Sequence, residues 1–325
     1  MMRIVKVLGL LLTCVPCGFL CRAQENFLEF PGGVRSLYWS AKPLETGDKD
    51  AEYAVIFVHG LQARTKDLTP VMKALVRKHP QAGKVLFVLP AFPTAKSCPP
   101  EHRGKIAEWD LQQHDWRNGD TSSGEHGVSS YAVIDRIYEL LSDRGRYPAL
   151  KHILLCGVSA GGQVVNRYVA VGRFVRKEHL SYAFAVGAPS TYLYLDGRRP
   201  AADGSFRAPE PEVPDCDVWH LGLSRRNAYA AAVEPAGIMA NFLVRPTLYL
   251  CGDQDVGKRG LASSPGAMAQ GANRYLRFQN YRKYVALFPE WEKRSRFVTV
   301  PGAGHSLRKV LDVPEFISLI FGGRE

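Results

Sequence analysis

Apolar residues along this chain alternate between two spacings. Short unbroken runs rich in β-branched and aromatic residues predict strands buried on both faces. Residues 53–58, 85–89, 153–156, 182–186, 247–250 and 297–300 are runs of this kind. Between them the apolar positions recur every three or four residues, the spacing of one helix face. Leu68, Val71, Met72, Leu75 and Val76 share a side within 67–78, as do Val133, Ile134, Ile137, Leu140 and Leu141 within 129–141. Ser129 supplies a start signal for the second of these. Residues 163–171 and 275–288 also predict helices, the latter studded with Arg and Lys, and 228–242 is partly helical. A closing helix is predicted over 307–321, broken at Pro314, because proline lacks the N–H and crowds the preceding turn.

Strands alternating with helices imply a parallel sheet joined by right-handed crossovers. Two stretches, about 94–127 and 190–220, are polar and rich in turn-forming residues, with no periodicity. They are predicted to be insertions above the sheet, not separate domains, and the first is not expected to be core. Loops this long usually carry function or move.

Composition adds little to the fold and more to the setting. The chain has 325 residues, 46% of them hydrophobic, which supplies an ample core. A single α/β domain over 24–325 is expected. Arg3 and Lys6 precede an apolar segment at 7–15, and Cys21-Arg22-Ala23 fits a small-x-small cleavage site. Residues 1–23 therefore predict a secretory signal, and an exported protein, periplasmic or secreted. The apolar segment is short for a bilayer span, so no stable membrane anchor is expected after cleavage; the competing reading is an uncleaved anchor. No lipidation is predicted at Cys14, Cys17 or Cys21. The formal charge of +11 loses three bases and no acid with residues 1–23, leaving +8. These charges are scattered and form no basic-aromatic ladder, so they speak for solubility and not for nucleic acid. Cys156 and Cys251 end strands and are expected as buried thiols. Cys98 and Cys216 lie in Pro-rich loops and could pair in an oxidising compartment.

The chemistry concentrates where strands end. Gly157-Val158-Ser159-Ala160-Gly161 joins the 153–156 strand to the 163–171 helix. A turn this sharp strains the serine backbone and requires hydrogen at the flanking glycines. A serine hydroxyl is a weak nucleophile and needs a base, which in turn needs an orienting acid. Gly252-Asp253-Gln254-Asp255 follows the 247–250 strand, and Gly302-Ala303-Gly304-His305 follows the last one. His59-Gly60-Leu61-Gln62 follows the first strong strand. Glu108, Asp110, His114 and Asp115 match no metal-ligand spacing, so no metal is predicted.

Taken in order, these four pieces resemble the α/β-hydrolase superfamily, in its secreted serine esterase-like branch, over about residues 50–323. The resemblance implies an eight-stranded, mostly parallel sheet flanked by helices, and no cofactor. It implies Ser159 as nucleophile, His305 as base and Asp255 as acid, with Asp253 as the alternative. The backbone N–H groups of Leu61 and Ala160 would bind the oxyanion, and His59 would brace that loop. Gln62, Trp116 and Tyr192 are candidate contacts to a small-molecule or glycan-linked ester. A peptidase or amidase using the same residues, and a non-catalytic binding module on this fold, are the rival readings.

Overall fold

Residues 23–61 and 65–323 are described by the structure, a computed structural model. Residues 1–22, which hold all but the last residue of the predicted signal and its three cysteines, and Gln62 lie outside the described residues.

All six apolar runs form strands, as their composition dictates. They are β3 (Tyr53–Val58), β4 (Val85–Pro90), β5 (His152–Val158), β6 (Ser181–Gly187), β9 (Thr247–Gly252) and β10 (Ser295–Val300). Two strands precede them, β1 (Gln24–Phe30) and β2 (Val34–Ser40), and a two-residue pair, β7 (Arg199–Pro200) and β8 (Phe206–Arg207), stands apart from the main sheet. The main sheet has the order β1-β2-β4-β3-β5-β6-β9-β10. β2 runs antiparallel to both its neighbours, and every other pairing is parallel. The β1–β2 hairpin was not visible in the apolar pattern. Its residues mix charges with apolar side chains, because an edge pair needs only partial cover.

Side chains alternate across the pleat, so each central strand feeds two cores. Ala54, Ile56, Val58, Ile153 and Leu155 face the helices Ser130–Leu141 and Ala160–Val171. Val55, Phe57, Leu154 and Cys156 face Leu68–Val76 and Pro314–Ile320. Helices on both faces leave neither layer in water. That is why these strands read as unbroken apolar runs.

Helix ends follow their signals. The Ser129 side chain accepts from the Tyr131 N–H. The closing segment splits into Leu307–Leu311 and Pro314–Ile320, divided just before Pro314. The 228–242 segment is likewise two helices, Ala228–Ala231 and Pro235–Val244.

One expectation is overturned. Residues 94–127 are not excluded from the core: Trp109 and Trp116 are 2% and 1% exposed and belong to the larger apolar cluster. Loop residues can pack densely without periodicity, because no regular element sets their spacing. Trp109 Nε1 donates to the Asp120 carbonyl at 3.0 Å, so its polar atom is satisfied as well.

Candidate active site

The site begins with a strained residue. Ser159 has φ 62° and ψ −117°, and the helix Ala160–Val171 starts immediately after it. A non-glycine residue there costs of order 1–3 kcal/mol. The same strand and helix bury Leu154, Leu155, Val164 and Val165 completely. Each such side chain contributes roughly 1.5–3 kcal/mol, so packing outweighs the strain. The turn closes only because two positions lack a side chain. A Cβ on Gly157 would lie 2.5 Å from the Gly161 carbonyl carbon, and one on Gly161 would collide with the Val58 carbonyl.

Two further loops converge on Ser159. The one after β9 carries Asp255, whose side chain is 1% exposed. The loop after β10 carries His305 and is stitched to the first. Gly302 N–H donates to Asp253 Oδ1 at 2.8 Å, and Gln254 N–H donates to the Ala303 carbonyl at 2.9 Å. Beyond it, Ser306 Oγ caps the next helix by accepting from the Lys309 N–H. His305 is thus held between a braced turn and a helix start.

Its imidazole joins the other two side chains. His305 Nδ1 lies 2.6 Å from Asp255 Oδ2, and Nε2 lies 3.0 Å from Ser159 Oγ. An ionised carboxylate only accepts, so Nδ1 carries the proton and Nε2 offers its lone pair to the hydroxyl. The two aspartates divide the work. Asp255 meets the imidazole, while Asp253 holds the backbone of the histidine loop.

No family model matches the chain, and no curated protein matches it. Solved structures do. A poly(3-hydroxybutyrate) depolymerase from Bordetella parapertussis superposes with a TM-score of 0.59 at 21% identity, over 93% of this chain and 91% of its own. A poly(aspartic acid) hydrolase-1 from Sphingomonas sp. KT-1 gives 0.63 at 16% identity, over 92% and 98%. The chain has the α/β-hydrolase fold.

The loop after β3 lies beside the Ser159 turn. A Cβ on Gly60 would come within 3.9 Å of Ser159 Cβ. Leu61, the next residue, is 42% exposed. Ala160 is the first helical residue, where an N–H has no partner within the helix. His59 holds this loop from below. Its Nδ1–H donates to the Gly60 carbonyl at 2.8 Å, and its Nε2 accepts from Phe92 N–H at 3.1 Å. Burial holds its imidazole below the usual value, so it stays neutral.

Trp116 and Tyr192 are placed among packed aromatic rings. Trp116 sits under the His59 ring at 4.7 Å and against Phe92 at 5.4 Å. Tyr192 is fully buried and stacks on Tyr281 at 4.2 Å. The acids near Trp116 are spent locally. Asp115 is paired with Arg117, and Asp110 accepts from the N–H groups of Gln112 and His114. The possible Cys98–Cys216 pairing is corrected: Cys98, Cys156, Cys216 and Cys251 are all buried free thiols. Cys98 packs with Leu37, Ala91 and Ile106, whereas Cys216 lies against Gly197.

Other features lie apart from the Ser159 line. Among the described residues, Glu25, Glu101 and His102 place possible ligand atoms within 4.8 Å of one another, at edge strand β1. A groove of about 770 Å³, lined by His79, Pro314, Ile317 and Phe321 among others, borders the start of β3, the end of that strand away from Gly60. No helix among the described residues is long and apolar enough to cross a membrane. The sequence reading missed Arg274, a buried cation beside Asp255. The only signal was the basic character of its helix, which does not say which arginine turns inward.

Proposed function

We propose that this protein is an exported serine hydrolase that cleaves a carboxylic ester through an acyl-enzyme. The observation that carries the reading is the single imidazole 3.0 Å from Ser159 Oγ and 2.6 Å from Asp255 Oδ2. Ser159 attacks the acyl carbon as His305 Nε2 takes its proton. Asp255 orients the ring and stabilises the imidazolium. The imidazolium then gives the proton to the leaving alcohol. Water, deprotonated by His305, attacks the acyl-enzyme, and the acid leaves as Ser159 regains its proton.

Negative charge on the acyl oxygen is met by the N–H groups of Leu61 and Ala160. Such donors contribute about 3 kcal/mol each when preorganised. His59 and Trp116 support the first of them from beneath. The two structural neighbours are named for the hydrolysis of polymers, which agrees with hydrolysis here but does not fix this substrate. We assign a small-molecule or glycan-linked ester, with no cofactor. Export is supported by the basic start and apolar segment at 7–15.

A fluorophosphonate probe tests the reading. The full chain is expected to be labelled at Ser159, and Ser159→Ala and His305→Ala to stay unlabelled. Folded, unlabelled wild-type protein would sink it. Turnover of p-nitrophenyl esters against aminoacyl anilides then separates ester from amide chemistry.

A further inference from the structure

Beyond Asp255 lies a buried charge that the mechanism above does not use. Arg274 is the first residue of the helix Arg274–Val285, capped by Asn273, whose side chain accepts from Leu276 N–H at 2.8 Å. The side chains of Arg274 and Asp255 are 2% and 1% exposed, so a guanidinium and a carboxylate share dry protein. Arg274 Nη1 lies 3.7 Å from Asp255 Oδ1, the oxygen that His305 does not use. From Nη2 the same group donates to the Arg259 carbonyl at 3.0 Å. Tyr275 N–H donates to the Asp255 carbonyl at 3.2 Å. One helix start therefore grips the acid loop at both 255 and 259.

Other charged and titratable groups face this pair from each side. Cys251 approaches from β9 and Tyr192 from the loop after β6; burial raises both, so both stay protonated and neutral. Arg277, one turn along the helix, donates to the carbonyls of Ser190, Ala262 and Gly271. Asp253 points to the Gly302 N–H. His305 is the remaining neighbour, on Oδ2.

Taking the hydrolase reading as its basis, we infer that Arg274 is a positioning residue: it compensates the Asp255 charge and so sets the pH at which the His305–Asp255 pair takes up a proton. With neutral imidazole, the group His305–Asp255–Arg274 carries no net charge, and an added proton makes it positive. Without Arg274 the same state is negative, and a proton is drawn in. The sign does not depend on whether that proton rests on imidazole or carboxylate. Either way the base is blocked at a higher pH.

The experiment is the rate at which a fluorophosphonate labels Ser159 in the full chain, measured against pH. In Arg274→Gln the midpoint of the acid limb is expected to rise by about one pH unit or more. Labelling on the acid side of the limb then falls about tenfold and returns towards wild type at alkaline pH. Arg274→Lys keeps a cation and is expected to retain most of the wild-type limb. A limb unmoved in Arg274→Gln, or an equal loss at every pH that lysine does not relieve, overturns the role of Arg274 and leaves the hydrolase reading standing. A wild type that is never labelled overturns both. Should Arg274→Gln not fold, the double variant with Asp255→Asn decides: it folds if the two charges compensate each other, and a double variant equally unfolded counts against the inference.

Discussion

At the scale of residues, the decisive contrast is between two aspartates one residue apart from being adjacent. Both fit the spacing after β9, and sequence leaves them open. The structure turns Asp255 to His305 and Asp253 to the Gly302 N–H. Asp255→Asn is therefore expected to lower kcat on a p-nitrophenyl ester by on the order of 10³–10⁴, because an amide cannot stabilise the imidazolium and favours the wrong tautomer. Asp253→Asn keeps an oxygen for the Gly302 N–H and is expected to stay within about tenfold, the scale of one modest hydrogen bond. Equal losses in steady-state assays of the two variants would contradict this division. The same limit applies to Trp116 and Tyr192. Aromatic residues in loops look the same in sequence whether they face a ligand or a core, and here both are buried.

At the scale of elements, the elbow depends on backbones meeting without side chains between them. Gly161→Ala would drive a methyl into the Val58 carbonyl, at the end of β3 just before His59 and Gly60. That is expected to destabilise the protein by about 2 kcal/mol or more, since overpacking against backbone has little room to relax. Gly83 faces open space, so Gly83→Ala serves as the control and is expected to change stability by no more than about 0.5 kcal/mol. Urea unfolding of the two variants checks the difference. Strand and helix positions were legible because buried parallel strands and two-sided helix packing impose strict periods. The β1–β2 hairpin and the buried tryptophans of residues 94–127 obey no such period, and were missed for that reason.

At the scale of the whole molecule, buried histidines couple the fold to pH. Burial holds His59 below its ordinary value, and burial with the nearby Arg167 and Arg117 cations pushes His220 well down. In the unfolded chain both titrate near 6.5. As the pH falls through that value, the unfolded state binds protons that the folded state refuses, so stability falls from about pH 7 to pH 5. Asp120 and Asp135 work in the opposite sense, because burial raises their carboxyls above the usual carboxylate range and the fold takes up their protons first. Tm is expected to be lower at pH 5 than at pH 7, with a smaller drop in His59→Gln. A Tm that holds steady or rises on acidification, with no difference between wild type and variant, would count against this coupling.

The six buried strands, the elbow and the loops that carry His305 and the two aspartates were determined by the sequence alone, because burial on both sheet faces and a turn without side chains leave a mark in residue type and spacing. Tertiary structure decided the rest. Which aspartate meets the imidazole, which aromatics are walled in, and that Arg274 stands behind Asp255 depend on side-chain direction across contacts between distant segments. Period and composition record how much of an element is buried, but not what it is buried against.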